Sequence, residues 1–271
     1  MAGRLKNLEK SIKSANPRIF QIIIVHDFRE EETSSELKDL ISLFNNGHIE
    51  FYEGKFGSAG KARNEGMIHA TGKYLVFWDS DDVGCPEQIV KVIEETDWCS
   101  NSAVASSFEV VNRYSSRNHS FTEDKSRNLN LLASYPGLWR WIFLREDVQI
   151  DFTPLSMGED QLFLVQNLQS IKFTFSKKIT YRYFLGIENQ STGTFDKRKS
   201  NDLSVVFSKV RKIEKTSEGE YKALLSRIVI SQALTLLKYS STGEKLVYLH
   251  KLFFNPKKVL SLLSIRINDG F

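Results

Sequence analysis

An α/β fold is predicted by three features of the 271-residue sequence. Short apolar, β-branched runs alternate with segments of helical period through most of the chain. Glycine-containing turns separate them. After about residue 196 the alternation gives way to helical spacing alone. The expected organisation is a sheet flanked by helices over residues 1–195 and a basic helical region over 196–271.

Each element has its own reason. Leu5, Leu8 and Ile12 share one helical face over residues 5–14, and Pro17 ends that helix. FQIIIV (20–25) is a β-branched run suited to a strand buried on both faces. A helix over 34–44 and a strand over 48–52 follow. GKFGSAGK is a loop that opens the helix ARNEGMIHA, and Thr71-Gly72 turns the chain into a third strand, KYLVFW. Residues 86–95 read as helix and 103–111 as strand. Residues 113–128 are polar without an apolar period and read as a loop or insert. GLWRWIFLR reads as a strand or buried segment, MGEDQLFLVQNLQ as a helix, and IKFTFSKKITYRYFL as one or two strands. Leu203, Val206, Phe207, Val210 and Ile213 then repeat at helical spacing, and a further helix is expected over 220–239.

The composition is that of a globular protein, 41% apolar and 26% charged, which excludes a disordered, collagen-like or coiled-coil chain. The net charge of +4 does not argue for nucleic acid, and none is expected as a partner. It averages two unlike parts. Residues 1–195 hold 22 basic and 26 acidic side chains, and residues 196–271 hold 15 and 7. Cys85 and Cys99 form no CxxC motif, so a reducing compartment is expected. The N-terminus lacks the apolar core of a signal peptide. No stretch reaches the ~20 apolar residues of a membrane span. The expectation is a cytoplasmic protein. The basic C-terminal helices, with KLFFNPKKVLSLLSI, offer a peripheral contact with the inner face of a membrane; a helical cap with a solvated basic face is the alternative.

Asp79-Ser80-Asp81-Asp82 directly follows KYLVFW. Ligands of open α/β sheets bind beyond the carboxyl ends of the strands. Clustered carboxylates there suit a hard divalent ion, or else form a solvated turn capping the helix near Pro86. Lys61, Arg63 and Asn64 open a helix, where cations and exposed N–H groups favour an anion; an ordinary surface cation is the alternative for Arg63. The segment is not a P-loop, because Gly54 and Gly60 are one residue too far apart and Ala62 stands where Ser or Thr would bind magnesium. Glu159-Asp160 suits either chemistry or a dipole-complementing first turn. Trp139 and Trp141 would stack on a ring of a ligand or pack in the core. The histidines show no metal spacing.

ARNEGMIHATGKYLVFWDSDD resembles the signature of family 2 glycosyltransferases, A-R-N-x-G-I-x-x-A-x-G-x-Y-[apolar]-x-F-x-D-S-D-D. QIIIVHD resembles the family's nucleotide-binding strand, GLWRWIFLRE with MGEDQLFLVQNL its later aromatic segment and G-E-D helix, and YRYFLGIENQST the end of its catalytic domain. The resemblance covers roughly residues 5–195. It implies a GT-A-like mixed, mainly parallel sheet that binds a nucleotide-sugar, UDP-linked by expectation. It also implies sugar transfer with inversion and a need for Mn²⁺ or Mg²⁺. The acceptor it implies is a saccharide or lipid-linked glycan, as in a growing surface polysaccharide. By the same resemblance Asp27 would contact the nucleotide base and Arg63 the base or diphosphate. Asp79 would lie near the ribose or sugar, and Asp81 would ligate the metal. Asp82 would orient the site or cap the next helix. Asp160 would be the general base, with Glu159 beside the acceptor.

Two departures stand out. The family opens with a strand of the type V-S-V-I-I-P-x-Y-N, whereas this chain starts at GRLKNLEKSI. Either the start is internal to a longer reading frame, or the chain is short with a weakened donor site and acts as a saccharide- or partner-binding module. His26 also replaces the first acid of the usual V-D-D. A sugar-phosphate nucleotidyltransferase is disfavoured, because its usual glycine-rich nucleotide loop is missing from the sequence.

Overall fold

The computed structural model describes residues 2–16, 18–28, 35–44, 49–186, 196–239 and 242–268. Pro17, Arg29, His48 and the ENQST stretch fall outside them.

The chain opens with helix α1 (Ala2–Ser14), then strand β1 (Ile22–Asp27), helix α2 (Ser35–Ser42) and strand β2 (Ile49–Gly54). β1 and β2 pair in parallel as a two-stranded sheet, Ile22 opposite Ile49 and Asp27 opposite Gly54. Helix α3 (Ala59–His69) packs on β1, where Gly66 lets it approach Val25 and Ile23. Burial of β1 on both faces is not found. Every residue of it is only half-buried, because the sheet here is two strands wide with α3 against it.

A second, six-stranded sheet carries the rest. Its strands are β3 (Tyr74–Leu75), β4 (Val83–Gly84), β5 (Ser102–Val111), β6 (Ser116–His119), β7 (Trp141–Leu144) and β8 (Lys172–Phe184). The order is β3-β7-β5-β8-β4, with β6 paired to β5. Pairing is mixed: β5–β8 is parallel, while β3–β7, β5–β7, β4–β8 and β5–β6 are antiparallel. The two longest ladders, β1–β2 and β5–β8, are the parallel ones. The expected third strand is much shorter than KYLVFW. Only Tyr74 and Leu75 pair, with Leu144 and Phe143, and Val76–Trp78 leave the ladder on the way to the acidic turn.

The polar stretch 113–128 is structured. β6 is an edge strand whose Ser, Arg and Asn side chains face solvent, so its composition hides it. Helix α5 (Lys125–Ser134) then starts at Asp124, whose carboxylate accepts from the N–H groups of Ser126 (2.9 Å) and Arg127 (3.1 Å). Helix α4 (Pro86–Glu95) has the predicted bounds. IKFTFSKKITYRYFL is one strand, with a register irregularity opposite Ser106–Phe108.

Helix α6 (Glu159–Asn167) links the sheet to α7 (Lys197–Thr216), α8 (Gly219–Tyr239), α9 (Thr242–Phe253) and α10 (Pro256–Asn268). Phe108, Phe143, Phe163 and Tyr181 share one buried cluster with Leu203, Val206, Leu225 and Val229. Residues of α7 and α8 therefore belong to the same buried core as the sheet. Arg140 is wholly buried between the rings of Phe108 (4.3 Å) and Trp139 (4.6 Å), and burial pushes its guanidinium down to about 9.

Candidate active site

The acidic turn lies between β3 and β4, closed by the Asp82 N–H donating to the Asp79 carbonyl (3.1 Å). Its three acids point to different tasks. Asp82 is buried, and its two oxygens accept from the Tyr181 hydroxyl (2.9 Å) and the Phe184 N–H (2.7 Å). Burial pushes its carboxyl up to about 8, against the pull of the Phe184 bond. Helix α4 follows Cys85 with no side-chain cap, so Asp82 does not cap it. Tyr181 also accepts from the Asp79 N–H (3.1 Å), so one phenol on β8 positions both ends of the turn.

α1 supports the same turn from the other side. Asn7 donates to the Asp81 carbonyl (2.7 Å), and the Gly84 N–H donates to the Ser11 hydroxyl (3.3 Å). Neither Asn7, Ser11 nor Tyr181 is marked in the sequence as a site residue, since their roles depend on packing and register.

Arg63 joins two distant segments. Its guanidinium donates to Asp79 (2.8 Å) and to Glu159 (2.9 Å), and lies 5.5 Å above the Phe152 ring. Burial opposes its charge, yet Asp79, Glu159 and Asp160 together raise it above the ordinary arginine range. Asn64, the next residue, clamps the backbone of Phe152 in both directions, at 3.0 and 2.8 Å. Gly60 completes the junction: a Cβ there would sit 3.0 Å from both Phe152 Cβ and the Thr153 carbonyl. Thus α3 is held against the loop that leads into α6.

That loop ends at Gly158, whose φ of +78° is the left-handed conformation glycine adopts freely. Glu159 and Asp160 follow in the first turn of α6. Asp160 accepts from the Gln161 N–H (2.7 Å). Burial, then Glu159, push its carboxyl up to about 7, while Arg63 pulls the other way. A half-buried carboxylate poised near neutrality suits proton transfer.

Asp27 ends β1, at the carboxyl edge of the two-stranded parallel sheet. It accepts from the N–H groups of Phe56 (2.8 Å) and Gly57 (2.9 Å), fixing the loop that enters α3. Ser58 caps that helix at the Lys61 N–H.

Trp139, expected as a sugar platform, is 8% exposed. It stacks on Tyr181 at 4.7 Å and Tyr183 at 5.5 Å, with Phe108 edge-on. Of the two readings for Trp139, a sugar platform or core packing, the structure shows core packing, where the ring buttresses Tyr181. Trp141 is buried as well.

The donor chemistry of the turn fits a hard divalent cation: Asp79 and Asp81 carry carboxylates, the Asp79 Oδ1 accepting from Arg63, while both Asp82 oxygens are engaged inward. Among the described residues no group of three or more His, Cys, Asp or Glu is placed to hold a metal ion by itself. Water and substrate oxygens would complete the shell, as is usual for Mg²⁺.

The model of the glycosyl transferase family 2 matches residues 2–152. No curated protein matches in sequence. Among solved structures, residues 1–349 of S. aureus TarS with UDP-GlcNAc superpose with a TM-score of 0.67 at 15% identity, over 95% of this chain and 79% of that one. The same TarS region with UDP gives 0.61 at 16% identity, over 96% and 80%. The mannosyltransferase PcManGT from Pyrobaculum calidifontis with GDP-Man and Mn²⁺ gives 0.58 at 12% identity, over 100% and 85%. The mixed sheet and flanking helices are those of the GT-A fold. With the family model spanning more than half of its residues, the chain belongs to glycosyl transferase family 2.

Proposed function

We propose that the protein transfers a hexose or N-acetylhexosamine from a nucleotide-sugar to a saccharide or lipid-linked glycan, with inversion. The observation that carries this reading is the Arg63 junction, which joins the acidic turn to the first turn of α6, where Asp160 lies. Asp160 takes the proton from the acceptor hydroxyl. The acceptor oxygen then bonds to the anomeric carbon on the face opposite the leaving diphosphate. The carbon–oxygen bond to the diphosphate breaks, and the nucleoside diphosphate leaves as an anion. General base catalysis of this kind contributes about 10²–10⁴-fold.

Asp81 is the residue to hold Mn²⁺ or Mg²⁺, with Asp79 beside the donor sugar or ribose. A divalent cation bound there neutralises charge developing on the diphosphate. Asp27 would contact the nucleotide base. Glu159 would lie beside the acceptor once Arg63 is shared with substrate. The UDP-GlcNAc in TarS and the GDP-Man with Mn²⁺ in PcManGT support these donor classes and this metal as the first to test.

Thermal melts with UDP-GlcNAc, UDP-glucose and GDP-mannose, each with Mn²⁺, test donor binding. A donor at 100 times its Kd stabilises by about 2.7 kcal/mol. The expected result is a rise in Tm for one donor that needs the metal and is lost in Asp81→Asn. No rise with any donor would count against the proposal.

A further inference from the structure

Helix α9 is apolar on more than its inward side. Tyr248 is buried and Leu252 packs against the core. Facing outward, Leu246, Leu249 and Phe253 follow at helical spacing, 69%, 49% and 78% exposed. The stripe continues into Phe254 at the break before α10, where Phe253 and Phe254 meet edge-on and His250 lies beside Phe254. Leu260 of α10 is exposed too. Five of the eleven exposed large apolar side chains among the described residues thus fall within residues 246–260. Such concentration marks an interaction surface.

The charge around it selects the partner. Residues 242–268 hold five basic residues and one acidic in sequence; Lys258 donates to Ser226 (2.8 Å), and Lys245 and Lys257 flank the stripe in sequence. Lys257 is exposed at the start of α10, beside the phenylalanines in sequence. Two copies meeting through this face would bring like charges together, whereas anionic headgroups complement it. No helix among the described residues is long and apolar enough to cross a membrane.

We infer that α9 and the start of α10 form a docking surface for an anionic lipid bilayer. Leu246, Leu249, Phe253 and Phe254 enter the boundary between headgroups and acyl chains, and Lys245 and Lys257 face the lipid phosphates. The surface is separate from the Arg63 junction, and its use does not depend on sugar transfer.

Sedimentation of the full chain with vesicles tests it, using phosphatidylcholine alone and an equal mixture with phosphatidylglycerol. The chain should pellet with the anionic vesicles and stay in solution with the neutral ones. Phe253→Ser/Phe254→Ser should weaken that binding by about tenfold or more, and Lys257→Glu should weaken it further at low salt. Both side chains are exposed, so the far-UV melt of the double variant should match wild type. Phe253→Trp, with a blue-shifted emission quenched by brominated lipid, reports insertion directly. No pelleting with anionic vesicles, or equal pelleting of the serine variant, overturns the inference. So does a dimer in solution that the serine variant breaks, since a second copy would then cover the face.

Discussion

Arg63 meets one carboxylate from the acidic turn and one from α6, and lies near a third, Asp160. Its positive charge lowers the proton affinity of Asp160. If Asp160 is the base, Arg63→Met should therefore shift the acid limb of the pH–rate profile to higher pH than in wild type, as well as slow turnover. An unmoved limb would show that Arg63 does not tune the base. Asp160 also makes a stability prediction. Its carboxyl rises from an ordinary 3.8 to about 7 on folding, so folding favours its protonated form. That contribution is complete below pH 3.8 and is lost as pH rises toward 7. Asp160→Asn removes the penalty of a buried charge. The Tm of the variant relative to wild type should then grow between pH 4 and 7 and level off above. Melts across that range measure it.

At the level of elements, α4 was the most legible: Pro86 after a turn is a local signal, and the helix has the expected bounds, whereas α3 and α6 start at Ala59 and Glu159 rather than at the expected Ala62 and Met157. The apolar period of the tail likewise matches α7 and α8. Polar elements were hidden: β6 exposes its side chains, and α5 lies partly within a stretch without an apolar period. The acids of the site were readable as types, but their division of labour was not. Asp82 turns inward because Tyr181 and Phe184 of β8 meet it, which only strand register decides. Trp139, in the turn before β7, faces the core, where it stacks on Tyr181. Gly158→Ala tests the entry to α6. It forces a Cβ into a left-handed conformation, 3.2 Å from Val206, at a cost of about 1–2 kcal/mol. The expected Tm loss is about 2–8 °C; an unchanged Tm would mean the loop relaxes freely.

Across the whole molecule, the tail packs around the segment that carries Gly158 and Asp160. Val206 of α7 packs against Gly158, and Asp202 accepts from the Ser156 N–H (2.7 Å). Gln232 of α8 donates to Gln161, the neighbour of Asp160 (2.9 Å). A chain cut after residue 195 would expose the side of the core that Leu203, Val206, Leu225 and Val229 cover. It should be insoluble or lack a cooperative melt, and a soluble, cooperatively folding fragment would show that the tail is dispensable. The tail also carries the exposed apolar stripe, so one basic region both closes the core and presents the proposed membrane face.

Nucleotide release is the most direct test of sugar transfer. Wild type and Asp160→Asn are compared with Mn²⁺, a donor that raises the Tm, and a saccharide acceptor. The account predicts acceptor-stimulated release by wild type, reduced about 10²–10⁴-fold in Asp160→Asn while donor binding persists. Equal release by both proteins would contradict the account.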